Sequence, residues 1–338
     1  MTTNQVNYLN IGLMIASTIV AFIIPFELFL FAYAVLGPLH YLTEISWLHD
    51  RGYFTKSRYD YLFLGVLCLL LLIVSYIIKQ QPSVGSAIIY IAFLSALVML
   101  LMKSMPMKLA SIALIVLSIT VLKDLQAYQI FFAIFLPTIM HVFVFTGAFI
   151  FMGALKGRNA SGILSLAIFA LCAMSFFFTA PAAAANAVGP YIRANYTSFE
   201  SVNAAMIQVF HLGELQSIDD IYESSAGLVV MRFIAFAYTY HYLNWFSKTS
   251  VIKWHNIPRS RVAGIVLLWL CSLGLYAYDY KIGIIALFFL SFLHVFLEFP
   301  LDHQTLIGIG KELYAVARGD SSVATKRAAV PVPRNEEA

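Results

Sequence analysis

Long stretches without any charge constrain this chain more than any other feature of its sequence. Leu62 to Ile78 and Ile88 to Met102 contain no charged residue, and across 338 residues 61% are hydrophobic and only 11% charged. Apolar stretches of about 18 or more residues are typical of membrane-spanning helices. These stretches also lack the alternation of apolar and polar residues found in membrane β-barrels. The sequence therefore predicts an all-α, polytopic transmembrane helical bundle.

The distribution of apolar residues predicts about ten spans and two segments outside them. The segment 181–226 is expected to form an outer loop, with an apolar face between 202 and 212 that favours an amphipathic helix lying on the membrane. The segment 319–338 is polar and charged, which predicts a disordered cytoplasmic tail and leaves 1–318 as the transmembrane domain. The predicted spans are 9–24, 26–48, 60–78, 86–102, 109–122, 128–152, 162–180, 227–247, 262–278 and 282–300.

The basic residues predict the orientation of these spans. With a cytoplasmic N-terminus, sixteen of the 21 Lys and Arg residues fall in cytoplasmic loops or the C-terminal tail, and four fall on the opposite side. Cytoplasmic loops of membrane proteins carry an excess of Lys and Arg. We therefore expect both termini in the cytoplasm and a multi-pass protein of a bacterial inner (plasma) membrane. Because the basic residues lie in short loops, the net charge of +4 does not indicate nucleic acid as a partner.

Four of the predicted spans carry one histidine each near the middle. His40 lies in the second span, His141 in the sixth, His241 in the eighth and His294 in the tenth. Even-numbered spans all run from outside to inside, so the four imidazoles lie at similar depths and can converge on one point. Ionisable residues are costly inside a bilayer and usually mark a functional site. We expect these four histidines to be metal ligands.

Two of the histidines have a carboxylate one helical turn away. Glu44 follows His40 by four residues, and Glu298 follows His294 by four. This spacing places each pair on one face of a helix. Imidazole and carboxylate together suit iron, and also zinc, copper or manganese. The two carboxylates could be direct ligands, or they could accept a hydrogen bond from the second ring nitrogen of a ligating histidine.

Three further residues are candidates for the site, although they do not belong to the four histidines or the two neighbouring carboxylates. Tyr238 lies one turn from His241 on the same helical face, and it could pack between helices or join Glu44 and Glu298 as a catalytic group. His211 and Glu214 lie in the outer segment and would have to fold inward to join the site.

The leading hypothesis is a membrane-embedded, histidine-ligated metalloenzyme with non-haem iron as the preferred cofactor. It would oxidise or cleave a lipid-soluble substrate such as an isoprenoid, an acyl chain or a quinone, and its expected partners are membrane lipid, that substrate and a redox partner. The alternatives are a haem-binding electron-transfer protein and a proton-coupled transporter that uses the His and Glu residues as a relay. No Walker motif, G-x-S-x-G or H-E-x-x-H occurs, so ATPase, α/β-hydrolase and zincin chemistry have no support.

Overall fold

The fold is helical throughout the part of the chain that the computed structural model describes, residues 1–78, 82–179, 188–248 and 257–319. Of the residues in these ranges 86% are helical, and none is in a strand. Eight of the described helices are long and apolar enough to cross a membrane. These observations confirm the predicted all-α fold, with eight candidate membrane-spanning helices. The predicted tail beyond residue 319 and the start of the predicted outer loop lie outside the described residues.

The helices of the described ranges are numbered α1 to α13 in chain order. Three short helices between α7 and α11 form a segment that we call the cap, and they are α8 (Pro190–Tyr196), α9 (Glu200–Val209) and α10 (Asp220–Glu223). The long helices are α1 (Thr3–Ile23), α2 (Pro25–His49), α3 (Asp60–Ile78), α4 (Ser83–Leu101), α5 (Met105–Leu122), α6 (Gln126–Gly157), α7 (Ala160–Ser175), α11 (Ser225–Ser247), α12 (Arg259–Tyr278) and α13 (Tyr280–Ala317).

Two of the long helices, α7 and α11, are not among the eight helices that are long and apolar enough to cross a membrane. The 16 residues of α7 reach about 24 Å at 1.5 Å per residue, which is less than the roughly 30 Å of a bilayer core. In α11 the polar residues Arg232 and His241 and three tyrosines lower the hydropathy, but most side chains of this helix are buried inside the protein. A helix that is surrounded by protein has no need of an apolar outer face.

Four helices pack around a common centre. α11 contacts both α2 and α6, and α13 also contacts both α2 and α6. The main contacts therefore run around a ring in the order α2, α11, α6, α13. Each of these four helices carries one of the four histidines predicted to converge.

Two of the ring helices contain wide π-helical turns. They cover Ala32–Leu36 in α2 and Phe131–Phe145 in α6. Pro38 lies two residues after the end of the first segment, and Pro137 lies inside the second. Proline lacks a backbone N–H and its ring clashes with the preceding turn, so a regular α-helix cannot continue unchanged through it. A π turn shifts the side chains that follow it around the helix axis, and such turns are frequent at functional sites.

The last helix extends further than the sequence predicts. The tenth span was expected to end near residue 300, but α13 continues through Pro300 to Ala317. At 1.5 Å per residue its 38 residues span about 57 Å. Pro300 is buried where α13 packs on neighbouring helices, and this packing keeps the helix going through the proline. Asp302 is therefore a buried residue of the helix, with 1% of its surface exposed.

Candidate metal centre

The four predicted histidines meet at the centre of the helix ring. All four are buried, with His40 only 1% exposed and His241 the most exposed at 6%. Nε2 of His40 lies 3.0 Å from Nε2 of His241, and Nε2 of His141 lies 3.2 Å from Nε2 of His294. Around the ring, neighbouring imidazoles have centroids 4.6 to 5.4 Å apart. The structure thus brings together the side chains that the sequence singles out.

The spacing of the rings matches that of ligands around a single ion. An ion about 2.1 Å from each ring nitrogen lies about 3.2 Å from each ring centre, so neighbouring ligands at 90° to 109° have centroids about 4.5–5.2 Å apart. One ligand atom from each of His40, His141 and His294 lies within 4.8 Å of the others. His241 falls outside that group of three and adjoins it through its contact with His40. Three imidazoles of the cluster could therefore hold a metal ion, and His241 adjoins them.

The two predicted carboxylates lie beside different ring nitrogens. Oε2 of Glu44 is 3.0 Å from Nε2 of His40, the nitrogen that also faces His241. Oε2 of Glu298 is 3.2 Å from Nδ1 of His141, on the side of the ring that faces away from His294. Despite these short distances, neither Oε2 of Glu44 nor Oε2 of Glu298 has the geometry of a hydrogen bond. Glu44 therefore lies at the nitrogen of His40 that faces the cluster, whereas Glu298 lies at the opposite nitrogen of the ring of His141.

Polar side chains next to the histidines fix their orientation. The hydroxyl of Thr146 lies 2.8 Å from Nδ1 of His241, which leaves Nε2 of that ring facing the cluster. Trp245 packs edge-on to His40, and its indole N–H donates to the hydroxyl of Thr43 at 2.9 Å. Hydrogen bonds to the second ring nitrogen set which nitrogen is available to a metal. Sequence reasoning missed Thr146, because a threonine in a span carries no signal of such a role.

Asp302 is the second residue that sequence reasoning missed. It follows Glu298 by four residues on α13, as Glu298 follows His294, so the three side chains lie on one face of the helix. Ligand atoms of His141, Glu298 and Asp302 lie within 4.8 Å of one another. The repeated spacing of four could have revealed Asp302, but Pro300 indicated that the helix had already ended.

The remaining sequence candidates lie further from the histidines. Tyr238 is buried, packs edge-on to Phe29 with ring centroids 5.0 Å apart, and lies on the wall of a cavity beside the cluster. His211 and Glu214 are exposed in the loop that follows α9, apart from the buried histidines. The structure therefore places Tyr238 near the site and leaves His211 and Glu214 on the surface of the cap.

A cavity of about 230 Å³ reaches the cluster from the cap. His141 and His294 form part of its wall, and most of the remainder is aromatic or aliphatic. Ser198 and Val202 belong to the cap and also line it. The histidine cluster is therefore accessible to a small, mainly apolar group.

No family model matches the chain, and comparisons with curated proteins and with solved structures return no match. The fold and the site define its class, which is an all-α membrane protein with a buried cluster of histidines and carboxylates that could hold a metal.

Proposed function

We propose that this chain is a membrane-embedded metalloenzyme that binds a non-haem metal, with iron as the first choice, through His40, His141, His241 and His294. The single observation that carries the proposal is the convergence of these four buried imidazoles from four helices. Four unligated histidines at such a depth would be unfavourable in an apolar phase, and a shared cation offsets this cost. Histidine and carboxylate ligands together favour iron, with zinc, copper and manganese as further choices.

The proposed topology has ten crossings and both termini in the cytoplasm of a bacterial inner membrane. Eight helices meet the length and hydropathy of a span, and the proposal assigns the other two crossings to α11 and to the shorter α7. The asymmetric distribution of Lys and Arg supports this orientation. The cap then lies on the outer side and covers the cavity beside the histidines.

The proposed substrate is lipid-soluble, such as an isoprenoid, an acyl chain or a quinone, and only part of it enters the cavity. An apolar cavity of about 150 Å³ accommodates benzene, so the 230 Å³ beside His141 and His294 holds one ring or a short length of chain. The remainder of a longer substrate would stay between the cap and the membrane lipid.

The metal would supply the oxidative or Lewis-acid chemistry, and the protein would supply position and proton control. Glu44 lies beside Nε2 of His40, the ring nitrogen that faces the other histidines, and would complete the metal coordination. Glu298 lies 3.2 Å from Nδ1 of His141 and would serve the metal centre as a carboxylate ligand. Tyr238, on the cavity wall, is placed to contact the substrate and is proposed as a catalytic group with the two carboxylates. An oxidation would also need a redox partner.

Two other functions for the same cluster of histidines and carboxylates differ from this proposal in whether they bind haem or any metal. A haem protein would need a porphyrin plane between two axial histidines, but here the rings pack against each other with centroids about 5 Å apart, which favours a bare ion. A proton-coupled transporter would use the same histidines and carboxylates as a relay without any metal.

Metal analysis and an optical spectrum of the purified full chain test the proposal. Stoichiometric iron without a Soret band supports the non-haem enzyme. A Soret band supports haem, and the absence of both metal and haem supports the relay. Either of the last two results overturns the proposal.

A further inference from the structure

The carboxylates beside the histidines form a second group of potential ligands. Glu298 and Asp302 lie one turn apart on α13 and are 4% and 1% exposed. Their oxygens and a ring nitrogen of His141 lie within 4.8 Å of one another. This group shares only His141 with the group formed by His40, His141 and His294. The ring of His141 therefore faces two clusters, with Nε2 toward His294 and Nδ1 toward Glu298.

Polar atoms of this second group lack hydrogen bonds. Both carboxylate oxygens of Asp302, Oε2 of Glu298 and Nδ1 of His141 have no hydrogen-bond partner within the described ranges. Buried polar groups are nearly always paired, because leaving one unpaired forfeits its hydration without compensation. Atoms from three residues that share this property and face one another are arranged as ligands of a common ion.

The local charge also indicates a cation. Glu44 interacts directly with Glu298, so three buried carboxyl groups lie together at this end of the site. Lys248, at the end of α11, provides one positive charge that acts on Glu44 and Glu298. Three buried carboxyl groups so close together cannot all ionise without added positive charge, and a divalent cation would favour their ionised form.

We propose that His141, Glu298 and Asp302 bind a second divalent cation beside the histidine site, which makes the centre binuclear. The proposal rests on the proposed function, because His141 would serve both metals. Two carboxylates and one imidazole suit Fe²⁺, Mn²⁺ or Zn²⁺. Coordination through Nδ1 requires the loss of the proton from that nitrogen, so binding of the second ion releases a proton.

The number of metal ions per chain tests the second site. Purified full-length protein is loaded with Mn²⁺ in detergent, passed through a desalting column and analysed for bound metal. The wild type is expected to hold two equivalents, Asp302→Asn one, and His294→Ala one. Glu312→Gln is the matched control, because Glu312 is also on α13, is 4% exposed and has an unpaired Oε2, and this variant should keep two.

The outcomes separate the two proposals. One equivalent in both the wild type and Asp302→Asn overturns the second site and leaves the histidine site standing. No bound metal in the wild type contradicts both. If Asp302→Asn fails to fold, electron paramagnetic resonance of the loaded wild type decides the question. Two neighbouring Mn²⁺ ions give a coupled, broadened spectrum, and a simple six-line spectrum at full loading contradicts the second site.

Discussion

Nε2 of His40 lies 3.0 Å from Nε2 of His241, although 201 positions separate the two residues in the chain. Two neutral imidazoles at this distance either share a hydrogen bond or face a common ion. The second pair, His141 and His294, has the same arrangement at 3.2 Å and completes a ring of four. Because two separate hydrogen-bonded pairs would not require all four rings to converge, the ring favours a shared ion.

Replacement of His40, His141 or His294 with alanine should remove the metal ion held by the histidine site. Each removes one of three nitrogens that lie within 4.8 Å of one another, and a site with two imidazoles retains little affinity. His241→Ala should also lower the metal content, but by less, because His241 lies outside that group. Bound metal per folded chain is the measurement, after size-exclusion chromatography.

The matched control for these variants is His303→Ala. His303 is also buried on α13, but its Nε2 is 2.8 Å from the backbone oxygen of Phe93 and not in the cluster. This variant should retain wild-type metal content. Equal loss of metal from His303→Ala would show that general unfolding explains the effect, and it would contradict the assigned ligands.

Filling the cavity should reduce turnover without removing metal. Val202 on α9 is 7% exposed and lines the cavity, so Val202→Trp should occupy space that the substrate needs. Overpacking costs about 1–3 kcal/mol, which a stable bundle tolerates. Val209→Trp is the control, since Val209 ends the same helix and is 42% exposed. If Val202→Trp turns over substrate as well as Val209→Trp does, the cavity is not the substrate site.

Loss of the Asp60 carboxylate should destabilise the fold. Nζ of Lys108 lies 2.6 Å from Oδ1 of Asp60, and both side chains are under 10% exposed, so this pair ties α5 to α3. Removal of one partner of a buried ion pair costs about 3–5 kcal/mol, because the other charge is left buried and unpaired. Asp60→Asn should therefore lower the midpoint of unfolding in detergent. The double variant Asp60→Leu with Lys108→Met should recover much of the loss, and the exposed Lys103→Met should show none.

Reporter fusions should place the cap and the C-terminus on opposite sides of the membrane. The division of Lys and Arg residues, sixteen against four, favours cytoplasmic termini and an outer cap. A fusion at the exposed loop around Gly213 should be active with an external reporter, and a fusion after residue 338 with a cytoplasmic one. The same side for both fusions would rule out ten crossings.

The sequence was sufficient to predict an all-α chain of long apolar helices and the four histidines that lie together at its centre. Long uncharged stretches rarely form anything other than membrane helices. One histidine per span at a common depth can be recognised from the sequence alone, without knowing which helices are in contact. The ring order of the helices could not be predicted, because it depends on side-chain packing between elements far apart in the chain. Eight helices meet the criteria for a span, and the predicted count of ten depends on α7 and α11.

The residues that sequence reasoning missed depend on tertiary packing. Asp302 joins the site because α13 stays helical through Pro300, which neighbouring helices stabilise. Thr146 matters because α6 and α11 bring its hydroxyl to His241, 95 residues away. Neither relationship has a local signature. The same limit applies to the two carboxylates. Glu44 and Glu298 each follow a histidine of their own helix by four residues. Even so, Glu44 lies beside Nε2 of His40 on that same helix, whereas Glu298 lies beside Nδ1 of His141 on α6.

X-ray absorption spectroscopy of the iron-loaded protein tests the central claim most directly, because it reports the atoms bound to the metal. The shared histidine site predicts at least three nitrogen ligands at about 2.0–2.2 Å from iron, with the outer-shell scattering of imidazole rings. His294→Ala should lower the number of imidazole rings per iron, because the iron that remains bound lies at His141, Glu298 and Asp302. A first shell made only of oxygen, or one with a single imidazole, would contradict convergence of the four histidines on a metal.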